Sequence, residues 1–350
     1  MNKEICIANK IISEKDATFI IAEISANHLM DYDRAVKIML QAKEAGADAV
    51  KLQTYTPDTI TLNCDKSEFL ASKGSPWEGM NLYELYKTAY TPWEWQPKLM
   101  ELARKMNIIC FSSPFDFTAV DFMEDMNMPA YKIASFEIND IPLIRKIAKK
   151  KKPIIISTGI AYMKEIEEAL TVCKDEGNED VILLKCTSAY PAPYEDINLN
   201  TIPNMKETFG CITGLSDHTL GDSVAVASVA LGAKVVEKHL TLKREDGGPD
   251  STFSMEPKEF KNMVERIRTV EKAMGKVTYE LTEKQKNSRG RSRSLYVVED
   301  VKKGQVFTNK NIRSIRPAYG LHTRYYDNIL GKTAKFNIEK GTALQWKHIE

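Results

Sequence analysis

Histidine is scarce in this chain, with five among 350 residues, so each one in a patterned position carries weight. Cysteine is sparse too. The six residues Cys6, Cys64, Cys110, Cys173, Cys186 and Cys211 show no CxxC spacing, and several fall in predicted strands. They read as reduced, buried small hydrophobes of a cytosolic protein rather than as a redox centre. An excess of either charge is missing. The 49 basic and 48 acidic residues leave a net charge of +1, which gives no electrostatic case for nucleic acid or an anionic membrane as main partner. No apolar run approaches the length of a transmembrane helix, and the opening MNKEICIANK lacks the apolar core of a signal peptide. These absences predict a cytoplasmic protein. Hydrophobic residues make up 43%, enough for one large domain plus a small one.

What is present is a repeated unit. Eight times over roughly the first 270 residues, an apolar β-branched run ends in a polar or ionisable cluster, and most runs are followed by a helical pattern. The clusters are Glu23; Lys51 and Gln53; Ser112 and Ser113; Lys132 and Ser135; Ser157 and Thr158; Lys185 to Tyr190; Ser216 to His218; and Glu237 to His239. Eight strand-then-helix units predict an α/β fold, a (β/α)8 TIM barrel, whose active site lies at the C-terminal ends of the strands. Nearly all the reactive side chains therefore gather on one face, which favours an enzyme over a binding or structural module.

The strands are expected at 19–25, 49–55, 108–114, 130–135, 153–159, 181–188, 211–216 and 235–241. Residues 4–18 suggest a hairpin closing the barrel bottom. A helix over 31–45 should end at Gly46, and a closing helix spans 257–274. The stretch 57–91, with Pro57, Gly74, Pro76, Gly79 and the aromatics Trp77, Tyr83, Tyr86 and Tyr90, reads as an inserted loop that builds a pocket or packs as a flap. A catalytic domain over 1–274 is followed by a polar, basic linker over 275–294. A small β-rich unit follows over 295–350, in which VKKGQVF and IEKGTAL form a pseudo-repeat.

His218 and His239 end neighbouring barrel strands. Spacing alone leaves two readings: both imidazoles hold one divalent metal, or one is packed and the other is a general acid. Glu23, on the strand next to the eighth after closure, would ligate or act as base. Lys51 and Lys132 sit in otherwise apolar strands, which is costly unless they meet an anion. With hydroxyls at Ser112, Ser113, Ser135, Ser157, Ser188 and Ser216, they describe a phosphate or phosphate-carboxylate site. A Schiff-base lysine is the rival reading. Gly247, Gly248 and Pro249 present Asp250, either to sugar hydroxyls or as a helix cap.

The stretches AEISANH (22–28), VKLQT (50–54), SSPFD (112–116), AYKIAS.E (130–137), STG (157–159), CTSAYPAPYEDINL (186–199), GLSDHTLG (214–221), EKHLT (237–241) and GPD (248–250) resemble the sialic acid synthases, the phosphoenolpyruvate-dependent nonulosonate synthases. The resemblance spans the C-terminal unit, which is similar to the family's antifreeze-like (SAF) domain, including RPAYG (316–320). AEISANH, WEGMNLYELYKTAYTPWEW, ASFEI and KREDGGPDSTFS resemble the pseudaminic acid branch. The N-acetylneuraminate type usually carries glycine after AEI.

The resemblance implies condensation of phosphoenolpyruvate with 2,4-diacetamido-2,4,6-trideoxy-β-L-altropyranose in its open-chain aldehyde form. Synthesis of N-acetylneuraminic or legionaminic acid is the alternative. A Schiff-base aldolase or a non-catalytic glycan-binding module is more distant. By resemblance, His218 and His239 hold a divalent metal (Mn²⁺, Mg²⁺ or Co²⁺), and Glu23 handles proton transfer. Lys51, Lys132, Ser135, Ser157, Ser188 and Ser216, with a hydroxyl from Ser112 or Ser113, bind phosphoenolpyruvate. Gln53, Glu137, Tyr190 and Asp250 touch the acceptor sugar. Arg316 reaches the mouth of the other protomer in a domain-swapped homodimer.

Overall fold

The computed structural model describes residues 1–75 and 77–350; Pro76 of the predicted insertion lies outside them. The chain divides into two compact units, Met1–Gly275 and Lys276–Glu350.

The first unit opens with a hairpin, β1 (Glu4–Ile7) and β2 (Lys10–Ser13). Eight parallel strands follow: β3 (Phe19–Glu23), β4 (Ala49–Thr54), β5 (Ile109–Pro114), β6 (Tyr131–Ile133), β7 (Ile154–Ser157), β8 (Val181–Cys186), β9 (Ile212–Asp217) and β10 (Val235–His239). They close into a barrel, with β10 paired to β3. This is the (β/α)8 TIM barrel expected from the repeated unit. The closing helix is Pro257–Met274, and the helix Tyr32–Ala45 begins behind its Asp31 cap and ends at Gly46, where φ is +91°.

Successive residues of a strand face opposite sides, so each strand sends every second residue inward. The inward series runs apolar, then polar. Phe19 and Ile21 precede Glu23; Ala49 precedes Lys51 and Gln53; Ile109 and Phe111 precede Ser113. Ile155 precedes Ser157, Ile182 and Leu184 precede Cys186, and Val235 precedes Glu237 and His239. The apolar members form one buried cluster with Ile5, Ile7 and Ile12, so the hairpin does plug the barrel bottom. The outward residues, among them Ile20, Val50, Cys110, Ile133 and Val236, pack against the helices in a second, larger cluster. The barrel is thus filled from below and left polar at the top.

Three expectations are corrected. The stretch 57–91 is not simply a loop: it holds helices at Pro57–Ile60 and Leu82–Ala89, the second capped by the Asn81 side chain, which accepts from Tyr83 N–H and Glu84 N–H. The 275–294 stretch contains a helix, Glu283–Arg289, because Thr282 and Gln285 cap it reciprocally. Cys6 is exposed and Cys64 half-buried, whereas Cys110, Cys173, Cys186 and Cys211 are buried; all six are free thiols.

The second unit has its own core of Leu295, Val297, Val301, Phe307, Ile312, Ile329, Ala334, Ile338 and Leu344. Its hairpin pairs β11 (Ser294–Val297) with β12 (Ile312–Ile315). The pseudo-repeat has a structural counterpart: Val301 and Ile338, the first residues of the two similar segments, exchange backbone hydrogen bonds. Gly304 and Gly341 both take positive φ, at +74° and +90°, at the same point of each segment.

Candidate active site

Strand register brings the predicted polar residues to one height. Glu23 lies opposite Lys51 on one side and His239 on the other, and Ser216 lies opposite Glu237. Lys51 Nζ stands 2.6 Å from Glu23 Oε2 and 3.3 Å from Glu237 Oε1. The first contact is an ion pair outside hydrogen-bond geometry. Lys132 Nζ donates to Ser157 Oγ at 2.7 Å and stands 3.8 Å from Glu237 Oε1. Ser216 Oγ donates to Glu237 Oε1 at 3.2 Å. All four charged groups are at most 4% exposed.

Burial opposes every charge in this cluster, and the partners decide which charges survive. Burial raises Glu23 to about 7, against the pull of Lys51 and with the push of Glu237. Glu237, also buried, is nonetheless held below the ordinary carboxylate value by Lys132 and Lys51. Lys51 is raised despite its burial, because Glu23 and Glu237 both face it. Lys132 is lowered by burial, with Glu237 opposing. A lysine raised by two carboxylates is a poor Schiff-base nucleophile, which disfavours that role for Lys51.

Glu237 is the site residue to which the sequence assigns no role. It heads the eighth polar cluster in the sequence but has no role assigned there, although it lies two residues before His239 on the same inward face. A charge count would have found it, since two buried lysines require carboxylate partners.

The predicted serines separate. Ser113 faces inward and accepts from Lys51 Nζ at 3.4 Å. Ser112 is a correction: it faces the helix layer, bonded to Thr54 Oγ1 at 2.6 Å, because its neighbour takes the inward position. Ser135 Oγ accepts from Gly159 N–H at 3.1 Å. Ser188 Oγ is buried without a hydrogen-bond partner. A Cβ on Gly159 would collide with the hydroxyls of Ser188 and Ser135, so only glycine leaves these two serines their place. Lys185 points outward, donating to Cys186 O and Thr187 Oγ1.

His218 and His239 have ring centroids 5.3 Å apart. His218 Nδ1 lies 3.1 Å from Thr187 O, and donation to that carbonyl leaves Nε2 with its lone pair. His239 Nδ1 is buried without a hydrogen-bond partner, and burial and neighbouring His218 hold its imidazole well toward the neutral form. Burial opposes the charge on His218, but the neighbouring Cys186 sulfur and Thr187 O raise its pKa, so a cation would have to displace its proton. Two adjacent imidazoles with unused nitrogens nonetheless fit a divalent cation. No group of three His, Cys, Asp or Glu placed to hold a metal occurs among the described residues, so water and substrate would fill the remaining positions. Cys186 Sγ lies 3.9 Å from His218 Nδ1, and this imidazole draws the thiol down to about 7 against its burial.

The acceptor candidates line the same mouth. The Tyr190 ring packs in tilted contact against His218 at 4.5 Å, Phe253 at 5.2 Å and Trp77 of the insertion at 5.8 Å between centroids. Burial raises Glu137 to about 7, and its Oε2 has no hydrogen-bond partner. Asp250 stands at the N-cap position of the short turn Ser251–Phe253, but its side chain does not cap it: the carboxylate accepts from Ser25 Oγ and from Ala26 N–H. Arg316 is exposed just past β12 in the second unit. Of eight buried side-chain atoms without a hydrogen-bond partner among the described residues, Glu137 Oε2, Ser188 Oγ, Glu237 Oε2 and His239 Nδ1 belong to residues of this mouth. Buried polar groups are ordinarily satisfied, so such a cluster marks where a ligand completes the site.

Residues 38–279 match the model of the NeuB family, and 292–350 match that of the SAF domain. The chain belongs to the NeuB family. It is 49% identical to a pseudaminic acid synthase of Campylobacter jejuni, over 93% of this chain and 95% of the relative. A pseudaminic acid synthase of Helicobacter pylori is 45% identical over 95% of this chain and 97% of the relative. An N,N'-diacetyllegionaminic acid synthase of Campylobacter jejuni is 38% identical over 92% and 97%. Among solved structures, an N-acetylneuraminic acid synthetase of Leptospira borgpetersenii superposes with a TM-score of 0.73 and 30% identity, covering 82% of this chain and 95% of its own. The family relationship therefore extends through both units, and it is a family of carbon-carbon bond-forming synthases. Among the described residues, no helix is long and apolar enough to cross a membrane.

Proposed function

We propose that the chain is a pseudaminic acid synthase. It joins phosphoenolpyruvate to the open-chain aldehyde of 2,4-diacetamido-2,4,6-trideoxy-β-L-altropyranose, with water, to give pseudaminic acid and phosphate. The observation that carries this reading is the pair of buried lysines, ringed by inward hydroxyls, beside the two histidines. Identity to relatives named pseudaminic acid synthases supports the choice of sugar over the legionaminic alternative.

Lys51 and Lys132 meet the phosphate and carboxylate of phosphoenolpyruvate and hold its methylene carbon against the aldehyde. Ser157 accepts from Lys132, so its own proton is free to donate to a substrate oxygen. Ser188, Ser135 and Ser113 complete the anion contacts, and Ser216 would join them by turning its proton from Glu237 to the substrate. The methylene π pair forms the C–C bond, and positive charge develops at the enol carbon. Water adds there and loses a proton, for which Glu23, at about 7, is suited as acceptor. The resulting tetrahedral centre expels phosphate by C–O cleavage, and the aldehyde oxygen ends as a protonated hydroxyl. A divalent ion (Mn²⁺, Mg²⁺ or Co²⁺) held by His218 and His239 would supply Lewis-acid polarisation of the aldehyde. Gln53, Glu137, Tyr190 and Asp250 face the sugar.

Incubation with phosphoenolpyruvate, Mn²⁺ and each candidate aldehyde, reading phosphate release and product mass, tests the assignment. Release only with the altrose derivative supports it. Release only with N-acetylmannosamine or the legionaminic precursor overturns the sugar and keeps the chemistry. His239→Ala should abolish metal-dependent turnover and weaken Mn²⁺ binding by more than the roughly 10–100-fold that loss of an outer-shell partner costs. Near-normal activity of the wild type after chelation would remove the metal role.

We further propose that the working unit is a domain-swapped homodimer in the cytoplasm. Phe136, Ile160, Tyr162 and Met163, on the loops that follow β6 and β7, expose apolar surface that a second protomer would cover, and the free thiols fit a reducing compartment. Arg316 of the SAF unit would reach the acceptor of the other protomer. Arg316→Ala should raise the acceptor KM about 10-fold or more, the scale of one charged contact; unchanged kinetics would refute the role.

A further inference from the structure

Ser25 follows β3 and begins the short turn Ser25–His28 with φ at +47°, a left-handed conformation that a side chain disfavours. It is 4% exposed. Its hydroxyl has a single proton, which it donates to Asp250 Oδ2; the Ala26 N–H donates to the same oxygen at 3.2 Å. Ser25 Oγ must then accept, and Gln53 Nε2 donates to it at 2.9 Å and to Glu23 Oε1 at 3.3 Å. This direction fixes the Gln53 amide, because only its NH₂ donates. Two consequences follow. Asp250 Oδ2 is occupied while Oδ1 takes no hydrogen bond among the described residues. Gln53 Oε1 is likewise unused. Both remaining atoms are acceptors.

We propose that Ser25 is a positioning residue for the acceptor sugar. It orients Asp250 and Gln53 so that two acceptor oxygens meet N–H or O–H donors of the sugar, and backbone strain at Ser25 is retained for the hydroxyl. The proposal rests on the synthase reading above. It differs from a packing role, because glycine would relieve the strain while removing the hydrogen bonds.

The test measures steady-state kinetics and thermal melting for Ser25→Gly, Ser25→Ala, Asp250→Asn and the double variant Ser25→Gly/Asp250→Asn. Ser25→Gly should raise the KM for the altrose derivative about 10-fold, the scale of one hydrogen bond to a charged group, and leave the phosphoenolpyruvate KM within about twofold. Its Tm should match or exceed that of the wild type by ~1–3 °C. Ser25→Ala should show the same KM split without the gain in Tm. The double variant should bind the acceptor no worse than Asp250→Asn, since Ser25 acts through that carboxylate. A turning-over wild type with an unchanged acceptor KM in Ser25→Gly overturns this proposal alone, as does an equal rise in both KM values. A wild type that releases no phosphate with any aldehyde overturns the synthase reading and this proposal with it.

Discussion

Lys51→Met should lower kcat/KM by about 10³-fold or more, which corresponds to roughly 4 kcal/mol of lost transition-state stabilisation. The ammonium does two things at once. On the proposed reading it faces the anionic substrate, and it compensates two buried carboxylates, Glu23 at 2.6 Å and Glu237 at 3.3 Å. Methionine keeps the stem and removes the charge, so both glutamates lose a partner and are pushed toward the protonated form. The sign of the pH effect follows. Glu23 already sits at about 7 in the folded protein, above its ordinary 4.5, so stability falls as pH rises between those values. Without Lys51 its folded pKa moves higher, and the loss of stability continues to higher pH. Melting curves of variant and wild type should therefore lie close at pH 5 and separate progressively toward pH 8. Parallel curves, or a kcat/KM within tenfold of wild type, would show that Lys51 is not the substrate's counter-charge.

The barrel was legible because its signal is local and repeated. Each strand carries its own apolar run, and eight of them leave few other architectures. The height of the active site was legible for the same reason. What failed required pairing or parity. The adjacent serines of SSP look equivalent in composition, yet period two assigns Ser113 to the mouth with Phe111 and Ile109, and Ser112 to the helix layer. Glu237 is visible in its strand, but its role needs the two lysines that only strand register brings beside it. The helix at Glu283–Arg289 was signalled by Thr282 and Gln285, three residues apart, but the basic composition around it dominated the reading. The sequence marks Ser25 only as a departure from the glycine that usually follows AEI; its role depends on Asp250, which lies 225 residues away in the chain. Arg316 carries no local signal either; only family resemblance nominates it.

Behind the two histidines lies a second buried ion pair, Lys238 with Asp217 at 2.7 Å, both side chains wholly inaccessible. Each residue adjoins a candidate metal ligand, Asp217 before His218 and Lys238 before His239. Lys238 also donates to Thr219 O at 2.7 Å, and Asp217 Oδ1 accepts from Thr219 N–H and Thr219 Oγ1. The pair therefore ties the end of β10 to the turn that carries His218. Lys238→Met strands a buried carboxylate and should cost about 3–5 kcal/mol, which lowers Tm by on the order of 10 °C for a domain of this size. Combining it with Asp217→Leu removes the stranded charge, and a buried ion pair replaced by apolar side chains is often neutral in stability. The double variant should recover most of the Tm. It should not recover Mn²⁺ affinity or turnover, because the Thr219 turn has lost the carboxylate that shaped it and His218 is no longer held. Full recovery of both would mean that the pair serves stability alone. A Lys238→Met protein melting within about 2 °C of wild type would mean that the lysine is not committed to Asp217, since a truly stranded buried charge cannot be that cheap.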